Sequence, residues 1–389
     1  MEPYIMNRDL IASILPELVA IRRHLHRIAE IGLSEFETTR YIGDVLERWG
    51  FVLDRSYATT AIVASLQRRS STKTVALRAD MDALPILEET NLPYQSLNAG
   101  TMHACGHDGH VAMLLGAAYA LSQDADFSGR VVFIFQPAEE NFGGAKMMIE
   151  QGFLDHYPVD FLFALHNMPA LETGKFSLRR GAMMASIDVV AVTITGRGGH
   201  GALPEQTADP VVAAGNIIVA LQSIVARNVS PHDPAVITVG QIHGGSAATI
   251  IPDKVELEIS LRALSPQVHA LLRQRIEEVV VAQAQSLGTQ ASFDWKVGYP
   301  ATINDDRAVD LARAAIRSTF GDDRLEDRAF AMMASEDCAF FLERIPGAYV
   351  FIGNGDSKPL HNAQYDFNDD ILADGALFFC SIVEQALAK

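Results

Sequence analysis

Hydrophobic positions in the first part of the chain follow two different periods. Ile11, Ile14, Leu15, Leu18, Val19 and Ile21 recur at helical spacing with charged residues among and after them. A second helical pattern covers 37–49 and stops at Gly50. Short runs rich in β-branched and aromatic residues follow: TTAIVASL, TVALRAD, RVVFIFQ and FLFALH. Apolar strands of this kind alternating with helices predict a parallel or mixed sheet covered on both faces. Further helices are expected over 109–121 and 143–150.

Beyond about residue 180 the rhythm changes. IDVVAVTIT at 187–195 alternates like a half-buried strand, a helical pattern runs over 210–226, and strands lie near AVITVGQI and KVELEISLRA. A helix over 266–287 and a strand near ASFDWKV complete the order strand–helix–strand–strand–helix–strand, the split βαβ of a small open-faced sandwich. The α/β pattern then resumes with a helix over 307–320 and the strand AYVFIG. The expected class is therefore α/β. A catalytic domain of residues 1–185 and 299–389, with a mixed, mostly parallel sheet flanked by helices, is interrupted by a smaller α+β, ferredoxin-like domain at 186–298.

Composition narrows the function classes. A chain of 389 residues, 49% hydrophobic, has material for two cores. A net charge of -17 argues against nucleic acid or an anionic membrane surface as partner. No uninterrupted apolar run reaches the roughly 18 residues of a membrane span. The three cysteines, Cys105, Cys338 and Cys380, are too few and too scattered for a disulfide framework and suit a reducing compartment. The stretch 6–27 intersperses Arg, Glu and His among apolar residues, unlike a signal peptide. The expected location is the cytoplasm.

The candidate chemistry centres on HACGHDGH at 103–110 and QPAEE at 136–140. Cys105 and His107 offer a thiolate and an imidazole on either side of Gly106, in a loop leading into a helix. Glu139 and Glu140 follow a strand that Gln136 and Pro137 end; His166 ends FLFALH, His361 follows VFIG, and Asp80 and Asp82 follow TVALR. Open α/β sheets bind ligands in the crevice outside the carboxyl ends of their strands, so these groups converge there. Nitrogen and sulfur donors hold a metal ion, and of two adjacent glutamates one binds metal while its neighbour takes a proton from water. Cys105, His107, His166, His361 and one of the two glutamates exceed the three protein ligands of a mononuclear catalytic site, which points to two divalent ions. Thiolate with imidazole favours zinc, and the carboxylate admits manganese, cobalt or nickel. His103 and His110 are expected in supporting roles, while His24, His26, His156, His232, His243 and His269 are expected at the surface or in packing.

The motifs MHACGHDGH, LRADMDALPI, FIFQPAEEN, ALHNMP, GRGGHGALP, ASEDCAFFL and LHNAQYDFND occur in order over nearly the whole chain. Together they resemble the aminoacylase, hippurate hydrolase and auxin-conjugate hydrolase branch of the co-catalytic metallopeptidases. The resemblance implies that Cys105, His107, Glu140, His166 and His361 bind metal and that Glu139 is the general base. It also implies a lid domain that commonly forms a homodimer, and a role for His200 in stabilising the oxyanion, in one subunit or across the dimer. From the sequence alone His200 is equally a turn histidine beside glycines. Arg78 stands where the wider family has a metal-binding histidine, so Asp80 is expected to be structural or to support the site. Thr249 replaces an Asn that in relatives resembles a contact to the substrate carboxylate. Arg262, in SLRALSP, is either a partner for that carboxylate or an exposed strand charge.

The function so implied is metal-dependent hydrolysis of an N-acyl or N-aroyl amino acid, a small-molecule substrate, to a carboxylic acid and a free amino acid. A dipeptidase or a deaminase acting on a small amino-acid-like substrate would use the same metal site. A binding module on a retired catalytic fold is disfavoured by Glu139 standing beside a complete ligand set.

Overall fold

The computed structural model describes residues 6–124, 126–141, 143–326 and 329–388. Its contacts group them into two compact units, one of Met1–Gly181, Ile303–Phe330 and Asp337–Lys389, the other of Ala182–Thr302 and Ala331–Glu336.

The larger unit is built on a seven-stranded sheet in the order Leu53–Asp54, Ile62–Arg68, Gly129–Gln136, Thr74–Asp80, Phe161–Pro169, Gly347–Gly355, Phe176–Ser177. The four strands from Gly129–Gln136 to Gly347–Gly355 pair in parallel, and the strands outside them pair antiparallel. Every residue of Thr74–Asp80 is buried, as a central strand covered on both faces requires. Helices Met6–Arg27, His107–Asp124 and Leu372–Ala386 pack against one another beside this sheet. The helix predicted from 109 begins two residues earlier, which puts His107 on its first turn. Leu372–Ala386 has no counterpart in the sequence expectations: its central run GALFFCSIV is buried throughout, so it shows no amphipathic period.

The smaller unit is a four-stranded antiparallel sheet in the order Ala235–Gly244, Lys254–Ala263, Ser186–Thr195, Gln290–Val297. Burial alternates strictly along Ser186–Thr195 and nearly so along Lys254–Ala263, giving one core face and one outer face. Helices Pro210–Asn228 and Pro266–Ser286 cover the core face, where Ile217, Leu221 and Ile276 meet Val190, Val192 and Ile259. Both helices begin with proline at a first-turn position. Asp209 caps one by accepting from the N–H groups of Val211 and Val212, and Ser265 caps the other by accepting from Val268. Pro210–Asn228 is long and apolar enough to cross a membrane by composition, but a third of it is buried in this unit's core.

One buried ionic cluster ties the N-terminal helix of the larger unit to the helix that carries His107. His26 Nδ1 donates to Asp108 Oδ2 at 2.8 Å, and its Nε2 lies 3.3 Å from Glu88. Arg22 reaches Asp369 at 2.6 Å and Asp108 at 3.7 Å. Burial opposes charge on His26, but Asp108 and Glu88 outweigh it and push the imidazole up to about 9. A raised folded-state value stabilises in full below the ordinary histidine value near 6.5 and ceases to do so as pH climbs through about 9. The gap in urea midpoint between the wild type and His26→Gln is therefore expected to be widest near pH 6 and to shrink by pH 10. A gap that does not change with pH would contradict the ion pair.

Candidate metal centre

Each strand end delivers one group for a local reason. Pro137 cannot continue the ladder of Gly129–Gln136, and Ala138 then turns the chain with φ of 58°. The Glu139 and Glu140 carboxylates follow at once. His166 lies within the strand Phe161–Pro169, and His107 opens its helix directly after Gly106. Gly106 sits at φ 86°, and a Cβ there would come within 2.3 Å of Asn167 Nδ2 and 2.6 Å of the Tyr365 hydroxyl, so only glycine fits. His361 is held at φ 62° with its N–H donating to the Ala104 carbonyl at 2.8 Å, which fastens its loop to the HACGH segment.

These placements bring the five expected ligands and Glu139 together within the larger unit. One ligand atom each from Cys105, Glu140 and His361 lies within 4.8 Å of the other two, and His107, Glu139 and Glu140 form a second such group. Cys105 Sγ is 3.4 Å from His166 Nε2. Glu140 Oε1 is 3.4 Å from His361 Nε2 and 3.9 Å from His107 Nε2. Two nitrogen or oxygen ligands at a tetrahedral angle around an ion, with bonds of about 2.1 Å, stand roughly 3.4 Å apart. Glu140 belongs to both groups.

The hydrogen bonds around the cluster point the right atoms inward. His107 Nδ1 donates to the Asp82 carbonyl at 2.8 Å and His166 Nδ1 to the Asn167 carbonyl at 2.6 Å, which leaves Nε2 of each as the bare lone pair facing the cluster. His107 Nε2 and Glu140 Oε1 are buried without a hydrogen-bond partner among the described residues. Orphaned buried polar atoms are costly, and a cation between them removes the cost. Asp80 and His110 are committed elsewhere. Asp80 accepts from Arg78 at 2.7 Å and from His110 Nδ1 at 2.5 Å, and His110 Nε2 accepts the Asn167 N–H at 2.9 Å. These bonds brace the residues next to the cluster.

The electrostatics call for positive charge. Burial pushes the Cys105 thiol well up, and Glu140, Glu139 and Asp80 push it further. Burial disfavours charge on His107, yet Asp80, Asp82 and Glu140 together raise it to about 10. Burial, aided by His110, drives His166 well below its usual range, so its imidazole is neutral and able to ligate. A pocket that resists a thiolate and attracts a proton to its histidine is short of cations, and sulfur, nitrogen and oxygen donors at these spacings fit a pair of divalent ions.

The remaining candidates lie in the smaller unit. His200 is exposed on the two-residue strand Gly199–His200, which pairs with Ile250–Ile251. Its Nδ1 accepts the Ala202 N–H at 3.0 Å, which makes Nε2 the donor nitrogen. Thr249 is beside it, its carbonyl accepting the Gly201 N–H at 2.8 Å. Arg262 is half-buried on Lys254–Ala263, donating to the Met333 carbonyl at 2.9 Å and the Ser335 hydroxyl at 3.2 Å, and no carboxylate pairs with it among the described residues. Sequence reasoning missed Asn167, whose side chain donates to the Cys105 carbonyl at 2.6 Å and accepts from Tyr365 at 2.8 Å. It also missed the link from Arg78 to Gln136 and Asp337. Both tie residues distant in sequence; the only local signals were the motifs ALHNMP and ASEDCAFFL.

Known proteins are similar to this chain over nearly its whole length. A family model described as peptidase family M20/M25/M40 matches residues 76–385. Hippurate hydrolase of Campylobacter jejuni is 42% identical over 97% of this chain and 100% of its own length. N-acetyl-L-cysteine deacetylase of Bacillus subtilis is 38% identical over 97% of this chain and 90% of its own. The crystal structure of a dinuclear metal-binding peptidase of the M20 family from Bacillus subtilis superposes with a TM-score of 0.85 at 32% identity, covering 97% of this chain and 99% of that one. With a mixed sheet flanked by helices and clustered donors for metal, the chain belongs to peptidase family M20/M25/M40.

Proposed function

We propose that the protein hydrolyses the amide bond of N-acyl or N-aroyl amino acids, releasing a carboxylic acid and a free amino acid. The carrying observation is that Glu139 lies in one cluster with His107 and Glu140, so a proton-transfer carboxylate stands beside two ligands of the metal pair. The names of the hippurate hydrolase and the N-acetyl-L-cysteine deacetylase support the substrate class.

Cys105, His107, Glu140, His166 and His361 would hold two divalent ions, zinc or manganese before cobalt or nickel. When bound, the ions make water a better nucleophile and polarise the scissile carbonyl. Glu139 takes the proton of the attacking water on a carboxylate oxygen and passes it to the departing nitrogen. His200 donates through Nε2 to the oxyanion, and Arg262, with the Thr249 hydroxyl, receives the substrate carboxylate. The residues 186–298 act as a lid and dimerisation domain. The edge strand Ala235–Gly244, with Ile242 exposed, and the helix Pro210–Asn228, with Val219 exposed, offer the kind of surface a homodimer covers. Three buried cysteines that form no disulfide among the described residues accord with work in the cytoplasm.

Release of amino acid from hippurate and from N-acetylamino acids is expected, abolished by EDTA and restored by zinc or manganese. Ammonia as the product, or activity indifferent to EDTA in metal-free protein, would overturn the reading. Glu139→Gln is expected to lower kcat by about 10²–10⁴-fold with both ions retained, as measured by steady-state kinetics and metal analysis. His200→Ala should reduce kcat by about 10²-fold or more at unchanged metal content; unaltered turnover would remove His200 from the mechanism.

A further inference from the structure

Glu35 belongs to none of the chemistry-bearing motifs. It lies on the loop between helices Met6–Arg27 and Phe36–Arg48, and its side chain is fully buried. One carboxylate oxygen accepts the Thr60 hydroxyl at 2.7 Å, and the other accepts the backbone N–H of Ala138 at 3.0 Å. Ala138 immediately precedes Glu139. Its left-handed φ of 58° is disfavoured for a non-glycine residue, so surrounding contacts must hold it there.

The same loop supplies a second hold. An ideal Cβ on Gly32 would fall 2.8 Å from Ala138 Cα, so the loop backbone is pressed directly against the turn. The Glu30 carbonyl accepts the Ala83 N–H at 2.8 Å, which fixes the loop beside the Asp82 segment. Glu140 has a separate tether, its N–H donating to Asp82 Oδ2 at 3.0 Å. The adjacent glutamates are thus anchored by different carboxylates. Asp82 holds the backbone of the metal-binding one, and Glu35 holds the residue that aims the other.

We propose that Glu35 is a positioning residue for Glu139, fixing the Ala138 turn so that the neighbouring carboxylate meets the attacking water. The proposal rests on Glu139 being the general base. Burial pushes the Glu35 carboxyl up to about 7 against the pull of its Thr60 and Ala138 hydrogen bonds; a neutral glutamine can mimic it, its amide oxygen accepting the Ala138 N–H and its amide nitrogen donating to the Thr60 hydroxyl oxygen.

The experiment compares Glu35→Ala, Glu35→Gln and Gly32→Ala in the metal-loaded protein, reading kcat and KM on an N-acylamino acid together with bound metal. Glu35→Ala is expected to lose about 10–100-fold in kcat, with KM and the content of two ions unchanged. Glu35→Gln should restore turnover, and Gly32→Ala, which crowds the turn, should lower kcat in the same way. Wild-type kcat in Glu35→Ala overturns the proposal. So does loss of metal in step with activity, or a Glu35→Gln variant as impaired as the alanine. If Glu35→Ala does not fold, Gly32→Ala decides, and unchanged kcat there is contrary. Glu139→Gln run alongside separates the two readings. Activity surviving that change refutes the base itself, whereas an inactive Glu139→Gln with a fully active Glu35→Ala refutes only the role of Glu35.

Discussion

An uncompensated buried charge is the constraint on which the site turns. Cys105, His107 and His166 are almost wholly buried, with Glu140 beside them, and two of the cluster's atoms, His107 Nε2 and Glu140 Oε1, have no hydrogen-bond partner among the described residues. A fold does not bury such a set without return. Burial first, then Glu140, Glu139 and Asp80, raises the Cys105 thiol, while Asp80, Asp82 and Glu140 raise the His107 imidazole against its burial, so both groups feel an excess of negative potential. Divalent ions would remove that excess, deprotonate the thiol and satisfy the orphaned atoms together.

The scaffold makes the convergence possible and the surrounding polar residues make it exact in aim. Four parallel strands end on the same side, so groups from four distant segments arrive at one crevice, and the helix beginning at His107 adds its own. Around them each polar group has a defined task. Asp82 accepts from His107 through its carbonyl and from the Glu140 N–H through its carboxylate. Asn167 joins the Cys105 carbonyl to Tyr365, four residues past His361. Arg78 binds Asp80, Gln136 and Asp337, joining two strand ends to the ASEDC turn. An arginine thus fills, with a guanidinium fork, a position at which a histidine could have served a metal.

Much of this was legible in the sequence because the relevant signals are local. Unbroken apolar runs reveal central strands, strict alternation reveals the sheet of the smaller unit, and Asp-Pro and Ser-Pro mark the starts of its two helices. The ligand candidates were legible because Cys105 and His107 flank Gly106, Glu139 and Glu140 follow the strand that Pro137 ends, and His166 and His361 lie in or shortly after apolar strand runs. What escaped was non-local or without contrast. Leu372–Ala386 has no polar face to betray its period. The start of the helix at His107 was displaced because Gly106 and Gly109 bracket it, and the turn glycine is the first of them. His26 and Glu35 reach partners 82 and 103 residues away, and no spacing rule finds such pairs.

The most direct test is the anomalous scattering of a crystal of the zinc-loaded protein. Two peaks about 3.5–4 Å apart, with Cys105, His107, Glu140, His166 and His361 as their protein ligands, are the expected result. One peak, or two that leave Cys105 or His361 uncoordinated, would contradict a shared two-ion centre.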